Sequence, residues 1–372
     1  MILRPTKPCF KRATFVATIV LCALGTKVAA EDISAAYSGK TISFVVAGAR
    51  GSLMDKYARA IGRYMVKHIP GSPVIRFRNM EGGSGNKATL WLYNKAPRDG
   101  LTIAALTPKA IVGPLIGDAA DKNYDPMKFK YLGNATSPIY VCISRLDAPA
   151  TEFGLIRKRR LVMGALQVGG PTQDIAHALM NLAGARFRMV PRYRDSAQLL
   201  AALEHGEVHG ACGFSWSNLW ARWPDLIKDN KVKVFLQIAL TALPDLTARK
   251  VPIMWDFVTD PGRRAALELL ARTQQIGQPY AAPPKVPRQR VTALRVAFER
   301  TMKDLEFKAD ARKARLNFSP TLGDDMERII EKMYLTPKDI VERARAARRA
   351  GEPAKASNGP NDQPLDGAAS KG

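Results

Sequence analysis

The sequence predicts an α/β protein with largely parallel sheets and more than one domain. Short apolar runs alternate with segments of helical periodicity, and glycine-containing turns follow several of those runs. Repeated strand–turn–helix order is typical of βα units, in which helices connect parallel strands. The chain has 372 residues, which exceeds one ordinary core of roughly 100 to 200 residues. With 46% hydrophobic and 24% charged residues, its composition is that of a globular protein.

The first 30 residues are predicted to be a secretory signal peptide that does not belong to the fold. Basic residues precede the apolar stretch Ala13–Gly25, which is too short to span a bilayer comfortably. Val28, Ala29 and Ala30 then match the pattern of a cleavage site before Glu31. An uncleaved N-terminal anchor is the alternative. Cleavage after Ala30 would make the mature chain an exported protein.

The predicted strands and helices follow one another along the mature chain. The strands are expected at 41–46, 72–79, 101–106, 139–145, 161–166, 186–190, 208–214 and 232–240. The helices are expected after the first strand and at 87–94, 175–184, 197–206, 287–304, 323–335 and 337–350. Tyr57, Ile61 and Met65 recur four residues apart and mark the apolar face of the first long helix. The segment Tyr124–Asn134 is expected to be an irregular connector.

The chain is strongly basic. Without the signal peptide it keeps 52 Lys and Arg against 33 Asp and Glu, a net charge of +19. Clustered positive charge would indicate nucleic-acid binding, but the charges are spread thinly and no nucleic-acid motif is present. We therefore expect no nucleic-acid partner. The charge is interpreted as a source of solubility and of attraction for anionic ligands or an anionic membrane surface.

Cysteines and histidines do not form a predicted metal site. Cys142 and Cys212 remain after signal removal, and an oxidising compartment permits a disulfide between them. Both lie in apolar, strand-like runs, so two buried free thiols fit the sequence equally well. His205 and His209 are four residues apart, but Gly206 is expected to end the helix between them. We predict neither a metal nor a cofactor.

The first glycine turn, Gly48–Gly51, joins a strand to a helix. Backbone N–H groups at a helix start point toward a bound anion, so this turn is a candidate anion site. A dinucleotide site is the rival interpretation, but Gly48 and Gly51 do not have the G-x-G-x-x-G spacing. Asp55 can also be a carboxylate that the helix dipole favours in the first turn. This motif alone leaves an anion site and a plain tight turn open.

A second glycine turn, Glu81–Asn86, has the same position after the next predicted strand. Its glycines permit close approach of a ligand to the backbone, and Ser84 and Asn86 add hydrogen-bonding groups. Two such turns after adjacent parallel strands fall at one edge of a sheet, where ligands bind in open α/β sheets. The pair therefore indicates a ligand site more strongly than either turn alone.

The second half of the chain contains weaker candidates. Gly169–Asp174 is a third helix-start turn with Thr172 as its expected N-cap, and a capped helix without ligand is the alternative. Tyr193 lies in a turn before a helix that Asp195 is expected to cap. Ser215 begins a tryptophan-rich segment whose simplest interpretation is aromatic packing. Motifs of Ser/His/Asp hydrolases and of Walker A ATPases are absent from the sequence, and we predict no catalytic residue.

The segment 47–104 resembles the N-terminal region of tripartite tricarboxylate transporter substrate-binding proteins, the Bug or TctC-like receptors. The family's first loop, second loop and P-x-D-G motif correspond to Arg50–Asp55, Asn79–Gly85 and Ala96–Gly100. The resemblance continues over nearly all of the mature chain, through 124–134, 169–172, 199–211 and 283–311. The order and spacing of these segments are more specific than any single motif.

The resemblance implies a two-lobed type II periplasmic-binding-protein fold with a ligand cleft between the lobes. The expected organisation is a signal peptide (1–30), lobe 1 (31–138), lobe 2 (139–250), a return to lobe 1 with C-terminal helices (251–350) and a disordered tail (351–372). Family members are periplasmic, are not enzymes, and pass small carboxylates to membrane transporter subunits. The expected ligand is a di- or tricarboxylate or an amino acid, bound by a monomer.

The family's ligand contacts carry over to loop residues of both lobes. In the first lobe they are Ala49, Arg50, Gly51, Ser52, Asp55, Gly83, Ser84, Gly85 and Asn86; in the second they are Gly170, Pro171, Thr172, Tyr193 and Ser215. Arg50 replaces a usual glycine and would add a cation for a second carboxylate. Glu81 replaces a usual proline and would oppose a carboxylate or favour an amine. An α/β enzyme that binds a nucleotide or phosphorylated substrate, and a sensing or scaffold protein derived from the family, remain alternatives.

Overall fold

The computed structural model describes Met1 and residues 32–117, 123–166 and 170–349. Apart from Met1, the predicted signal peptide lies outside these described residues, as does the predicted tail. Within them, no helix combines the length and the apolar character that crossing a membrane requires.

Strands of the described residues form two separate sheets. The strands are β1 (Thr41–Val46), β2 (Val74–Asn79), β3 (Thr102–Ala105), β4 (Lys130–Asn134), β5 (Tyr140–Arg145), β6 (Leu161–Leu166), β7 (Phe187–Tyr193), β8 (Gly210–Ser215), β9 (Val232–Ile238), β10 (Pro279–Ala282) and β11 (Thr321–Leu322). One sheet has the order β11-β4-β10-β3-β1-β2 and the other the order β7-β6-β8-β5-β9. We call the first sheet with its helices lobe 1 and the second lobe 2.

Helices cover the faces of both sheets. They are α1 (Ile33–Tyr37), α2 (Leu53–Met65), α3 (Asn86–Asn94), α4 (Lys109–Ile116), α5 (Phe153–Ile156), α6 (Pro171–Ala183), α7 (Ser196–Glu204), α8 (Trp216–Arg222), α9 (Pro224–Lys228), α10 (Pro244–Ala248), α11 (Pro261–Thr273), α12 (Arg288–Lys303), α13 (Leu305–Lys313), α14 (Gly323–Tyr334) and α15 (Lys338–Ala347). The α/β fold class is thereby confirmed.

Both sheets are mixed, so the prediction of largely parallel sheets holds for only part of each sheet. Strand β1 is parallel to β2 and β3, and β6 is parallel to β7 and β8. Strands β10 and β5 run antiparallel to both of their neighbours in the middle of each sheet. Each is the first strand after a crossing between the sheets, so its direction is set by where the chain enters. The prediction of an irregular connector over 124–134 is also wrong at its C-terminal end, where Lys130–Asn134 form β4.

Helix termini largely follow their capping residues. Gly184 ends α6 with φ 74°, the left-handed conformation that glycine adopts without steric cost. Asp195 caps α7 by accepting a hydrogen bond from the Gln198 N–H at 2.9 Å. The expected N-cap at Thr172 is wrong. Gly170 occupies the N-cap position and Pro171 the first helical position, where its fixed φ and missing N–H suit a helix start.

The apolar face of α2 lies directly on the first sheet. Tyr57, Ile61 and Met65 are all buried, as their spacing predicts. A Cβ on Gly62 would lie 2.5 Å from the ring of Phe77, so the helix axis approaches the sheet too closely for a larger residue. This close contact fixes the C-terminal part of α2 against β2, and the first glycine turn lies at the other end of the same helix.

Two connecting segments carry the chain between the lobes, and Asn134 holds them together. Its side chain is fully buried at the end of β4. The amide group donates to the carbonyl oxygens of Thr136 and Gln275 at 2.7 and 2.8 Å. The amide oxygen accepts from the N–H groups of Gly277 and Gln278 at 3.1 and 2.8 Å. One side chain therefore satisfies backbone groups of both crossings, 134–139 and 275–278.

The C-terminal helix α15 ties the lobes together a second time. Arg348, at its C-terminus, forms an ion pair with Asp174 of α6 in lobe 2 at 2.6 Å. The same guanidinium donates to the carbonyl oxygen of Ile116 at the end of α4 in lobe 1, at 3.2 Å. Arg345 donates to the neighbouring carbonyl oxygen of Leu115 at 2.9 Å. Cationic side chains of α15 thus satisfy the C-terminal carbonyls of α4, a favourable arrangement for a helix end.

Cys142 and Cys212 form a disulfide in the core of lobe 2. They face each other on the antiparallel strands β5 and β8, and their sulfur atoms are 2.01 Å apart. The sequence left this pairing open because two free thiols would pack in the same apolar surroundings. Register between the two strands, which only the fold sets, decides it.

Removal of the disulfide is expected to destabilise lobe 2. The bond closes a loop with a sequence separation of 70, and cross-links over loops of this size contribute about 2–4 kcal/mol. The double variant Cys142→Ala, Cys212→Ala should therefore lose that amount of free energy of unfolding, measured by urea denaturation. The wild type under reducing conditions should show the same loss and a lower urea midpoint. An unchanged wild-type midpoint after reduction would contradict a structural role for the bond.

Gly277→Ala is expected to force the two connecting segments apart. An added Cβ would lie 2.3 Å from Thr136 Oγ1 and 2.4 Å from the Thr136 carbonyl oxygen, so we expect a loss of about 1–3 kcal/mol in the free energy of unfolding. Gly154→Ala is the matched control, because a Cβ there meets nothing within 4 Å. Equal effects of the two substitutions in urea unfolding would show that the close approach is unimportant.

Candidate functional site

A cavity of about 790 Å³ lies between the lobes. Lobe 1 contributes the start of α2 through Leu53 and Tyr57, and the turns after β2 and β3. Lobe 2 contributes the start of α6 and the end of β8 with the following α8. The two connecting segments form its inner wall through Thr136, Pro138, Ile276, Gly277 and Gln278. The carboxyl ends of strands from both sheets therefore face one space, which is where open α/β sheets bind ligands.

Asp55 organises the first glycine turn from inside. The residue is only 2% exposed, and its carboxylate accepts from the Gly51 N–H at 2.8 Å and from Arg59 Nε at 2.9 Å. Asn79, the last residue of β2, donates to the same carboxylate at 3.0 Å and to the Gly48 carbonyl at 2.9 Å. The turn is thus held by a buried carboxylate and an amide, both already saturated with protein partners.

The ionised form of Asp55 is strongly favoured. Burial by itself would raise the pKa of this carboxyl, but the hydrogen bonds from Arg59, the Gly51 N–H and Asn79 outweigh it and lower the pKa to about 2. Asp55 therefore serves as a fixed negative charge under the turn. Its hydrogen-bonding capacity is directed into the protein and away from the cavity.

The second glycine turn has an unusual backbone. Gly82, Gly83, Ser84 and Gly85 all have positive φ, which only glycine adopts without steric cost. A Cβ on Gly85 would lie 2.6 Å from the side chain of Thr107, so this turn rests on the one after β3. Ser84 lines the cavity at the tip of the turn. The glycine run therefore brings the ends of β2 and β3 together and leaves the serine facing the cavity.

In lobe 2 the third glycine turn lies against β8. A Cβ on Gly213 would lie 2.5 Å from the carbonyl group of Pro171, so only glycine permits this contact. Thr172 is buried, and its Oγ1 accepts from the Leu166 N–H at 3.1 Å. Ser215, at the end of β8, caps α8 by accepting from the Asn218 N–H. The turn and the cap place Gly170, Pro171 and Ser215 side by side on the cavity wall.

The structure brings four of the fourteen predicted site residues onto the cavity wall: Ser84, Gly170, Pro171 and Ser215. The remainder do not line it: Ala49, Arg50, Gly51, Ser52, Asp55, Gly83, Gly85, Asn86, Thr172 and Tyr193. Asp55 and Thr172 are buried in protein contacts, and Tyr193 is 3% exposed with its hydroxyl 3.5 Å from Glu207. Ala49, Arg50 and Gly51 are exposed in the first turn.

Several residues that line the cavity are not among those predicted from the sequence. Thr107 and Lys109 follow β3, the third parallel strand end on this edge, and the same edge argument would have found them. Tyr140 begins β5, and Arg222 and Trp223 end α8. The guanidinium of Arg222 lies 4.8 Å from the centre of the Trp223 ring. No spacing pattern indicated these last residues, because only the meeting of the lobes places them near the glycine turns.

Asn317 links the two sides of the cavity directly. Its backbone carbonyl accepts from the Tyr57 hydroxyl of α2 at 2.8 Å, which fixes it to lobe 1. Its amide nitrogen donates to the Ser217 carbonyl and to Asn218 Oδ1 of α8 in lobe 2, both at 3.2 Å. These are hydrogen bonds between the lobes, and two residues further on Ser319 bonds to the connecting segment 134–139 through Ala135 and Ser137. They hold α8 against α2 on one side of the cavity.

The charged groups of the cavity are mostly cationic. Lys109, Arg222 and Arg348 line it together with one carboxylate, that of Asp174. Asp174 is already paired with Arg348. Hydroxyl and amide groups from both lobes also line the cavity: Ser84, Thr107, Thr136, Ser215, Asn218, Gln278 and Ser319. Within the described ranges, no cluster of His, Cys, Asp and Glu has an arrangement that would hold a metal ion.

Asp55→Asn is expected to lower the free energy of unfolding near neutral pH but not in strong acid. The pKa of Asp55 is lowered in the folded state, from 3.8 to about 2, so its stabilisation is present above about pH 4 and is lost as pH falls toward 2. The shift corresponds to about 2 kcal/mol. Urea unfolding of wild type and variant should differ by about this amount at pH 7 and converge near pH 2.

Asp339→Asn provides the control for this comparison. Asp339 is an exposed carboxylate in the first turn of α15, so its removal should change stability by less than about 0.5 kcal/mol at either pH. A difference between wild type and Asp55→Asn that stays constant from pH 7 to pH 2 would show that shape, and not charge, explains the effect.

Comparison with known proteins identifies the fold. No protein-family model and no curated protein matches the sequence. A TctC solute-binding protein from Polaromonas, solved with no ligand, shares 17% identity over 82% of this chain and 99% of that chain, with a TM-score of 0.65. The periplasmic binding protein BugD shares 17% identity over 83% and 96% of the two chains, with a TM-score of 0.53.

A third similar structure contains a ligand. MatC from Rhodopseudomonas palustris, solved with bound malate, shares 18% identity over 83% of this chain and 99% of that chain, with a TM-score of 0.54. The similarity to these three structures covers 82–83% of this chain. The chain therefore has the two-lobed α/β fold of the TctC and Bug periplasmic binding proteins, which confirms at the level of fold the resemblance that the glycine loops indicate.

Proposed function

We propose that this protein is a periplasmic solute-binding protein that captures a small organic carboxylate and delivers it to a tripartite tricarboxylate-type membrane transporter. The observation that carries the proposal is the cavity between the lobes, which is walled by strand ends of both sheets and has a cationic lining. Malate in the structurally similar MatC supports a carboxylate as the ligand class. Binding without chemical conversion is part of the proposal.

Arg222 is the side chain best placed to bind a carboxylate. It lines the cavity, stacks on Trp223, and has no salt bridge among the described residues. A planar guanidinium presents two parallel N–H groups that match a carboxylate. The Ser84 and Ser215 hydroxyls, one from each lobe, would add hydrogen bonds from opposite walls. A ligand held in this way contacts both lobes at once and so favours their closed arrangement.

Closure is proposed to occur about the two connecting segments. They are the covalent links between the lobes, and Asn134 bonds to both. Hydrogen bonds between Asn317 and α8 join the lobes directly at the cavity. These bonds would form in a closed arrangement and break in an open one. The transporter subunits would then recognise the closed, loaded form.

The loop residues of the first lobe remain part of the proposal. Backbone amides between Ala49 and Ser52, and between Gly83 and Asn86, are the family's expected carboxylate contacts. Ser84 already lies on the cavity wall. Arg50 is exposed and does not line the cavity, so it would reach a second carboxylate only if its side chain moves toward the cavity. The geometry favours Arg222 over Arg50 as the principal cation.

Arg222→Gln is expected to weaken carboxylate binding by about 10- to 100-fold, because a charge-assisted hydrogen bond contributes about 1.5–3 kcal/mol. A thermal-shift screen of di- and tricarboxylates and amino acids should first identify a stabilising ligand, and calorimetry then gives its Kd. Ligand recovered unchanged after incubation would support binding without turnover. Failure of every small acid to stabilise the wild type would refute the proposed ligand class.

Arg50→Gly tests the contribution of the first turn in the same assay. If Arg50 binds a second carboxylate of the ligand, this variant should lose more affinity for a dicarboxylate than for the matching monocarboxylate. If Arg50 is only a solvated surface cation, the Kd of both ligands should change equally and by no more than about twofold. Comparing Arg50→Gly with Arg222→Gln therefore shows which of the two arginines neutralises the ligand.

A further inference from the structure

Lobe 2 carries a compact cationic surface at the end opposite the cavity. Four consecutive basic residues, Arg157–Arg160, lead into β6, and Arg186 and Arg188 lie at the start of β7. All six are exposed. Strands β6 and β7 are parallel neighbours, with Leu161 opposite Phe187, so the two groups of cations are adjacent in space. We call these six residues the basic patch.

Contacts within the basic patch confirm that it is continuous. Arg186 donates to the Lys158 carbonyl oxygen at 3.3 Å. The Arg186 carbonyl in turn accepts from the Leu161 N–H at 2.9 Å. Alternation along the strands places Arg160, Arg186 and Arg188 on one face of this sheet edge. The expectation from the sequence that positive charge is spread thinly is therefore wrong here.

The basic patch has no acidic counterpart in the described part of the chain. None of its six side chains takes part in a salt bridge there, whereas Arg145 and Arg192 elsewhere in lobe 2 are paired with Asp147 and Glu207. Between Glu152 and Asp195 the sequence has one acidic residue, Asp174, and that residue is paired with Arg348. Six exposed like charges repel one another, so an anionic partner would be favoured at this surface.

Two exposed leucines border the basic patch. Leu155, in α5 two residues before Arg157, is 45% exposed, and Leu146 is 59% exposed. Leu146 belongs to the loop that ends at Pro149, whose carbonyl oxygen accepts from Arg159 at 3.2 Å. These are the large apolar side chains of lobe 2 that the described structure leaves exposed. Cations together with exposed leucines are the composition of a surface that binds at a lipid–water interface.

We propose that lobe 2 docks on an anionic lipid bilayer through the basic patch. The six cations would lie at the level of the lipid phosphates, and Leu146 and Leu155 would enter the region of the acyl chains. Juxtamembrane cations bind anionic membranes with contributions that add from each Lys or Arg. The basic patch lies outside both described cavities and its side chains make few fixed contacts. A fluid array of phosphates suits such a surface better than an acidic protein, which requires fixed positions.

Docking in this way would leave the cavity accessible. The basic patch lies at the amino ends of β6 and β7, whereas Gly170, Pro171 and Ser215 lie beyond the carboxyl ends of β6 and β8. Six residues of strand separate the two ends by about 20 Å. The inference therefore does not depend on the identity of the cavity ligand, and its failure would not affect the proposed carboxylate binding.

The experiment compares vesicle binding of the wild type with two charge-matched variants, all purified from the periplasmic fraction. The patch variant is Lys158→Gln, Arg160→Gln, Arg188→Gln, whose side chains make no hydrogen bond within the described structure. The control variant is Arg63→Gln, Arg312→Gln, Lys332→Gln, three exposed cations of lobe 1. Both lose three charges, and all three proteins share the same N-terminus, so any lipid binding by it is common to all.

Sedimentation with vesicles of phosphatidylcholine containing 30% phosphatidylglycerol gives the partition constant, at about 50 mM salt. We expect the patch variant to bind about 100-fold more weakly than wild type, and the control variant to stay within about threefold. Leu146→Ser, Leu155→Ser should also weaken binding while keeping its salt dependence, because the cations remain. Vesicles of phosphatidylcholine alone should bind none of the proteins strongly. Circular dichroism and the urea midpoint show that each variant is folded.

Four results would overturn the inference. The first is equal weakening of both triple variants, which would assign binding to net charge. The second is equal binding to neutral and anionic vesicles. The third is wild-type protein that ignores the vesicles but binds immobilised polyglutamate through the same three cations, which would assign the basic patch to an acidic protein. Retained binding of the patch variant would likewise refute the assignment.

Discussion

The hydrogen bonds of the Asn134 side chain are the constraint on which the two-lobed arrangement depends. A buried amide has two donors and an acceptor with two lone pairs, and here both ends are used by backbone groups of the two segments that cross between the lobes. Leaving such groups unpaired in a buried position would be costly. The amide therefore fixes the separation and register of the crossings. Gly277 allows them to approach closely enough for these bonds to form.

The cavity follows from that constraint. With the crossings held together, the carboxyl ends of strands in both sheets face one another, and the turns after them become opposite walls. Each turn is then fixed locally, the first by the buried Asp55 and the second by its contact with Thr107. Rigid turns on two lobes joined at one edge can close on a ligand without rearranging inside either lobe. Preformed turns also reduce the conformational entropy that binding would cost.

Charge is divided between two ends of lobe 2. At the carboxyl ends of its strands, Arg222 faces the cavity beside Trp223. At the amino ends, the basic patch faces solvent without acidic partners in the described chain. The excess of positive charge in the sequence is thus present at two separate surfaces of lobe 2, for which we propose different roles. Near the cavity it attracts a small anion, and at the opposite end we infer that it attracts a lipid surface.

The sequence by itself determined the α/β class, the helix of Tyr57, Ile61 and Met65, and the glycine turns, because periodicity and backbone freedom are local properties. It also indicated the family's fold through the order of its loops. Only the tertiary structure decided the antiparallel β5 and β10, the Cys142–Cys212 bond, and the placement of Ser84, Ser215 and Arg222 around one cavity. Those features depend on residues far apart in the chain, and their contacts arise from strand register and lobe packing, which no local pattern encodes.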